Sequence, residues 1–348
     1  MELDCIVVGG GLHGTLLALA LRDSRIALVE TGASLGGNHL WSFHTGGLPA
    51  EAAALLEPLI VARWPAYRVA FPDRVRIVDE PYASVSSQRL DHFARQELGP
   101  AVMLRTKVIR IDARRVELDD GRVLEAPQIF DCRGPESFPL RGAHAFQKFC
   151  GIELEGTHSL KLPTLMDARV EQRDGFRFFY VLPLAPGRVL VEDTRFSETA
   201  ALDIKAVEED ALAWARSQGL KGEVVRRESG VLPLPIDVMP RGDRLGYGGG
   251  LFHPVTGYSL PLAVRIATGR PPRALEDQQR FALLLNRLLY RATAPEHRWR
   301  VLSRFHALPG PLIRRFHDLE TTRADRLRIL CGRPPRGVSL RRALEALA

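Results

Sequence analysis

Gly9-Gly10-Gly11-Leu12-His13-Gly14 follows an apolar run at residues 3–8 and opens a segment, 12–22, whose apolar residues recur with helical spacing. No other feature constrains the chain as tightly. A glycine turn between a buried strand and a helix lets backbone N–H groups approach a pyrophosphate, and it sets the phosphates at the positive end of the helix. A second strand is predicted over 25–30 and ends in Glu30, 21 residues after Gly9. A carboxylate there accepts both hydroxyls of an adenosine ribose and repels a 2′-phosphate. Gly9, Gly11, Gly14 and Glu30 are therefore candidate dinucleotide contacts, and this motif alone leaves NAD and FAD both open.

The pattern further along predicts helices over 50–63 and 88–98, antiparallel strands over 102–110 and 114–123 turning at Asp119-Asp120-Gly121, and a strand at 129–130 that returns to the nucleotide unit. Residues 146–231 change character. Alternating apolar segments at 176–182 and 189–194 flank the turn Ala185-Pro186-Gly187-Arg188, with a helix near 201–217. A second glycine loop at 246–257 precedes a helix over 259–268, and the last 75 residues read as mostly helical. Flavoproteins that hold FAD across a long chain often return near the carboxy end with such a loop and helix, whereas many NAD domains do not, which favours FAD. The expected fold is α/β, with a Rossmann-like FAD-binding domain, an antiparallel-sheet substrate domain and a helical C-terminal region. The expected boundaries are 1–60, 88–135 and 236–275 interleaved for the first, 61–87 and 136–235 for the second, and 276–348 for the third.

Composition narrows the function classes. With 45% hydrophobic and 26% charged residues in 348, the chain should bury a core rather than remain disordered. Four cysteines, Cys5, Cys132, Cys150 and Cys331, form no C-x-x-C pair, so neither a zinc site nor a disulfide framework is expected. The amino terminus lacks a basic export region and no run reaches the roughly 18 apolar residues of a spanning helix. A cytoplasmic protein is expected. Residues 265–348 carry a net +11 while the rest carries −4. That basic carboxy-terminal quarter lacks a nucleic-acid recognition motif and suits either an anionic membrane surface or solvated helix faces.

Five segments together resemble the bacterial lycopene beta-cyclases of carotenoid synthesis. They are Val8 with Gly9-Gly10-Gly11-Leu12, Gly36-Gly37-Asn38-His39-Leu40-Trp41-Ser42-Phe43-His44, Asp131-Cys132-Arg133-Gly134, Val191-Glu192-Asp193-Thr194, and Phe252-His253-Pro254-Val255-Thr256-Gly257-Tyr258-Ser259-Leu260-Pro261. Their order and spacing match along nearly the whole chain, including Asp325-Arg326-Leu327-Arg328-Ile329-Leu330. The resemblance implies FAD bound noncovalently and used in its reduced form without net redox turnover, NADPH as an external reductant, and lycopene or a related acyclic carotenoid as substrate. It extends the candidate cofactor contacts to Asn38, His39, Gly249, Gly250, Thr256 and Gly257. Tyr247 stands where many related flavoproteins carry Asp, so a carboxylate contact to the flavin side is not expected there.

Closing an acyclic isoprene end into a ring needs an acid to protonate the terminal alkene and a base to remove a ring proton. Glu192 and Asp193 are the candidate catalytic carboxyls, since burial keeps a carboxyl protonated and able to donate. Consecutive strand residues face opposite sides, so Glu192 should align with Leu190 and Thr194, and Asp193 with Val189 and Val191. Glu192 is the expected acid, with Asp193 orienting or tuning it. Trp41, Phe43, Phe178, Tyr180 and Tyr258 are candidate substrate contacts whose ring faces stabilise a cation. No histidine falls at metal-ligand spacing.

Two other readings share the cofactor fold: an FAD-dependent lipid or carotenoid hydroxylase or desaturase, and a non-catalytic flavin-containing polyene carrier. The first would consume reducing equivalents with each product and the second would need no acid. A hydrocarbon substrate confined to lipid implies peripheral association with the inner face of the cell membrane, with other carotenoid enzymes as possible partners. The expected docking region is 281–316, where apolar residues lie beside Arg287, Arg291, Arg298, Arg304, Arg314 and Arg315.

Overall fold

The structure, a computed structural model, describes residues 2–134, 142–240 and 242–347. β1 (Cys5–Val8) leads through α1 (Leu12–Ala20) into β2 (Ile26–Val29), and β3 (Leu40–His44), α2 (Ala50–Leu56), β4 (Ile60–Trp64), β5 (Tyr67–Phe71), β6 (Arg74–Val78), β7 (Tyr82–Ser86) and α3 (Ser87–Leu98) follow. Next come β8 (Val102–Met103), β9 (Val108–Ile111), β10 (Arg115–Leu118), β11 (Val123–Glu125) and β12 (Gln128–Asp131). The central stretch holds β13 (His144–Glu155), β14 (Thr164–Asp167), β15 (Phe176–Ala185), β16 (Arg188–Ser197), α4 (Ile204–Ser217) and β17 (Glu223–Pro235). The chain finishes with α5 (Leu260–Ala267), α6 (Leu275–Arg291), α7 (Arg298–Phe305), α8 (Gly310–His317), α9 (Arg323–Leu330) and α10 (Leu340–Leu347).

The first strands form a parallel sheet in the order β12-β1-β2-β8. Parallel strands buried on both faces read as unbroken apolar runs, as Cys5–Val8 and Ile26–Val29 do. The structure confirms the predicted β-α-β unit and the turn at Asp119 to Gly121, which falls within the strand predicted over 114–123 and separates β10 from β11. Two expectations are corrected. The helix predicted over 50–63 ends at Leu56, and 60–64 instead forms β4, paired with β7. The β-branched pair Ile60-Val61 and the Pro58 before it favour extension over another helical turn. The strand predicted over 102–110 is divided: Val102–Met103 runs parallel to β2, and only β9 joins the antiparallel hairpin.

A seven-stranded sheet, ordered β17-β13-β16-β15-β14-β5-β6, dominates the second half. It is antiparallel except where β14 runs parallel to β5. Helix α4, N-capped by Asp203, lays Ala211 and Ala215 on one face against Ile152, Phe179 and Val191. The small sheet β3-β7-β4 joins the halves. Its Ala83 and Val85 belong to the core around α1 and α3, while its Trp64 and Tyr82 pack with Phe176, Phe178 and Leu190. Helices α6, α7 and α8 add Leu289, Leu302 and Ile313 to that second core, which makes the C-terminal region part of the cavity wall.

Candidate active site

Between the nucleotide turn and the free face of the large sheet lies a cavity of about 760 Å³, within the range of about 300–1,000 Å³ usual for ligand sites. One end is lined by Gly9, Gly10, Gly11, Glu30 and Thr31, the other by Tyr82, Tyr180, Glu192, Tyr258 and His317. Nucleotide turn and acid candidate therefore open into one space.

At the first end the glycines are dictated by contact. A Cβ on Gly14 would sit 1.9 Å from the carbonyl oxygen of Gly9, and Gly9 itself has φ +99°, a region open to glycine at no steric cost. A Cβ on Gly11 would meet nothing within 4 Å. This leaves open space before the first turn of α1, whose N-terminal amides have no side-chain cap. Glu30 is fixed at the rim, its two oxygens accepting the N–H groups of Gly10 and Gly32, each at 2.6 Å. Two buried polar atoms of the lining, His13 Nε2 and Gln147 Oε1, have no partner among the described residues. Burial pushes His13 down to about 4, so its ring is neutral. Uncapped amides, a fixed carboxylate and unpartnered polar atoms suit a dinucleotide.

Of the remaining cofactor candidates, His39, Thr256 and Gly257 line the cavity. The others hold its surroundings. Gly14 sits inside the turn, and Asn38 donates to the Arg227 carbonyl at 2.7 Å and accepts from Arg226 at 3.0 Å. Gly249 and Gly250 pack against the carbonyls of Arg244 and Pro240. Tyr247 contributes a ring stacked on Phe252, centroids 4.0 Å apart, and its hydroxyl donates to the Gly257 carbonyl at 2.7 Å.

At the other end, strand alternation does what the sequence predicts. Glu192, Thr194 and Phe196 of β16 face the cavity beside Phe178 and Tyr180 of β15 and Gln147 and Phe149 of β13. Glu192 is buried, accepts the Thr194 hydroxyl at 2.5 Å and shares a hydrogen bond with the Glu228 carboxyl. Burial first, and the Glu228 charge second, push Glu192 up to about 8. Asp193 points the other way. It is 0% exposed and accepts hydrogen bonds from Arg177 at 2.6 Å and Arg195 at 3.0 Å.

Trp41, Phe178, Tyr180 and Tyr258 line the cavity, whereas Phe43 is buried in the core around α1 and α3 with Leu35, Leu55 and Leu90. On β3, Trp41 and Phe43 share one side, and the core claims the second ring. Several lining groups escaped the sequence: Tyr67, Tyr82, His306 and His317. The Tyr82 hydroxyl lies 3.2 Å from those of both Tyr180 and Tyr258. His306 and His317 each donate from Nδ1 to a helix carbonyl at 2.9 Å, and burial pushes each down to about 4. The far end is thus polarisable, aromatic and uncharged. Glu228 was missed as well, because only the pairing of β17 with β13 reveals its neighbour.

The expected docking region is corrected. Arg298 is 0% exposed, pairs with Glu198 and lies over the Tyr290 ring; Arg287 and Arg304 reach backbone carbonyls; Arg291 pairs with Asp237, Arg314 with Glu80, and Arg315 with Asp325. Phe281, Leu289, Leu302, Leu312, Ile313 and Phe316 are buried. These arginines tie the helices to the body. Among the described residues there is no helix long and apolar enough to cross a membrane and no cluster able to hold a metal ion.

Comparison with known proteins agrees with this geometry. The family described as lycopene cyclase protein matches residues 4–343. A lycopene beta-cyclase of Pantoea ananas is 38% identical over 99% of this chain and 97% of its own length, and one of Pseudescherichia vulneris is 37% identical over 95% and 94%. Among solved structures, a geranylgeranyl bacteriochlorophyll reductase-like protein of Thermoplasma acidophilum superposes with a TM-score of 0.59 at 15% identity, over 100% of this chain and 96% of that one. A probable FAD-dependent monooxygenase of Pseudomonas aeruginosa gives 0.56 at 18% identity, over 94% and 98%. The fold is shared with these two proteins, and with its glycine turn and its buried acid opening into one cavity the chain belongs to the lycopene cyclase family.

Proposed function

We propose that the protein is a lycopene beta-cyclase, closing the acyclic ends of lycopene or a related carotenoid into beta-ionone rings without net oxidation or reduction. The observation that carries this reading is Glu192: a carboxyl held protonated by burial, facing an aromatic cavity continuous with a dinucleotide cradle. Its O–H proton passes to the terminal alkene as a C–H bond forms, leaving a tertiary cation. The next alkene attacks that cation and closes the ring. Loss of a proton from a ring carbon to the Glu192 carboxylate then forms the ring double bond. Tyr180, Tyr258, Phe178 and Trp41 stabilise the cation with their ring faces, each contact contributing about 0.5–2 kcal/mol according to its desolvation. Neutral His306 and His317 add polarisable walls without adding a charge that would repel it.

The cofactor is FAD, gripped by the turn at Gly9 to Gly14, Glu30, His39, Thr256 and Gly257. Bound in its reduced form, with NADPH as the external reductant, it would supply an electron-rich surface that stabilises positive charge without net redox change. The protein expressed in a lycopene-accumulating bacterium should convert the pigment to beta-carotene or its one-ring precursor. Unchanged lycopene, with the flavin bound and reduced, would sink the reading. Counting NADPH oxidised per ring separates cyclisation from hydroxylation or desaturation, since only the latter consume it in proportion.

The substrate's confinement to lipid implies docking at a membrane, and the surface that fits is the carboxy-terminal one. Leu327, Leu330, Leu340 and Leu344 are all exposed, interspersed with exposed Arg323, Arg328, Arg333, Arg336 and Arg342. Apolar side chains between cations match a bilayer interface with anionic headgroups.

A further inference from the structure

Glu192 is not alone behind the cavity wall. On the three adjacent strands β16, β13 and β17, Gly151 of β13 is the register partner of Glu192 on one side and of Glu228 on the other. The central position carries no side chain, so the two carboxyls meet across it. A Cβ on Gly151 would lie 3.0 Å from Glu228 Cγ and 3.3 Å from its Oε1. The glycine is therefore the gap through which they touch. Two carboxyl groups in hydrogen-bond contact need a proton between them, because two carboxylates would repel.

The two members of the pair have different surroundings. Glu192 faces the apolar cavity, and among the described residues its further hydrogen-bond partner is the Thr194 hydroxyl. Glu228, on the same face of the sheet, lies beside the cavity and outside its lining, and accepts from Arg226 Nη1 at 2.8 Å. The same guanidinium is held by Glu153 at 2.8 Å, and Glu153 is met by Arg188 at 3.3 Å. Cation and anion therefore alternate outward from Glu228 towards the protein surface. Other titratable groups facing the pair are His39, which feels Arg226, and Tyr180 and Tyr258 at the cavity side, while Asp193 lies across the sheet neutralised by its two arginines. Among the described residues the cation in contact with the pair, Arg226, sits on the Glu228 side, so the negative charge settles there.

We propose that Glu228 is a positioning residue for the acid: its carboxylate, fixed by Arg226 and admitted by Gly151, holds the transferable proton on Glu192. The inference rests on the reading of Glu192 as the proton donor. When that proton leaves for the alkene, the pair carries two negative charges, which favours its recapture from the ring carbon. The proton balance closes within the pair, and no oxidant or reductant takes part.

The test is an infrared titration of the FAD-loaded protein, following the carbonyl band of a protonated carboxyl that Glu192→Gln removes. In Glu228→Gln the midpoint of that band should fall by about one pH unit or more, the effect of removing a like charge at contact distance. Gly151→Ala, which keeps both carboxyls and pushes them apart, should lower it by less. The pH above which lycopene cyclisation is lost should move down in the same order, with activity in Glu228→Gln recovered at lower pH, whereas a purely structural role would depress it equally at every pH. A midpoint that stays or rises in both variants overturns the proposal. Because the infrared band needs no substrate, a failure of the cyclase reading leaves this measurement intact and separately decisive.

Discussion

Glu192 and Asp193 are consecutive on β16 and lie on opposite faces of the seven-stranded sheet, Glu192 against the cavity and Asp193 between the guanidinium groups of Arg177 and Arg195. Substitution should separate the two roles. Asp193→Asn removes the fully buried counter-charge of Arg177 and Arg195 and leaves them only the partly exposed Asp210, so the loss should approach but not exceed the about 3–5 kcal/mol of a fully broken buried pair. The expected result is a marked fall in melting temperature. Residual activity of the folded fraction should stay close to wild type, measured per flavin bound.

Glu192→Gln should behave in the opposite way. Cyclisation is expected to fall by about 100-fold or more, the typical effect of losing a general acid, while flavin content stays unchanged. A fully active Gln variant would move the donor's role to another group.

The stability of these proteins should also differ with pH. Glu192 is raised from 4.5 to about 8 in the folded protein. Between those values the unfolded chain releases the proton and the folded one keeps it, so stability falls as pH rises through that window and is unaffected below it. The Gln variant lacks this dependence. Its melting temperature relative to wild type should therefore climb steadily from acid to mildly alkaline pH, and a constant difference would show that the carboxyl is not held protonated.

Fold and cofactor can be separated at the glycine turn. Gly14→Ala places a methyl group 1.9 Å from the Gly9 carbonyl and should unfold the turn. Gly11→Ala meets no atom within 4 Å and should leave the melting temperature of the flavin-free protein unchanged. Its FAD affinity should nevertheless fall, because the methyl occupies space in front of α1. Equal affinity in fluorescence titrations would place the pyrophosphate elsewhere.

At the membrane, Leu340→Ser with Leu344→Ser should weaken flotation with anionic liposomes, as should high salt. Substituting Arg298, which is buried against Tyr290 and Glu198, should lower stability instead.

The parts of the molecule legible in the sequence were those governed by local rules. Strand alternation alone put Glu192 and Asp193 on different faces, and the turn between strand and helix marked the glycine-lined end of the cavity. What escaped depends on register and tertiary packing. Glu228 acquires its meaning only because β17 pairs with β13 so that Gly151 stands opposite it. Tyr82, His306 and His317 come from three separate elements, and nothing in their own neighbourhoods marks them as lining one cavity. Phe43 and Trp41 pack against the same core, and only Trp41 also reaches the cavity, a difference that alternation along β3 does not show. The arginines of 281–316 looked available because sequence does not show the acids and carbonyls that fold against them.

The central claim is that a protein acid starts the cyclisation, and deuterium transfer tests it most directly. The FAD-loaded enzyme, equilibrated in D2O and in excess over substrate so that each ring meets a freshly exchanged acid, is given lycopene, and the product is weighed by mass spectrometry. The account predicts one deuterium in each new ring, since the proton gained comes from the exchangeable Glu192 carboxyl and the one lost comes from carbon. Rings formed without deuterium would contradict it.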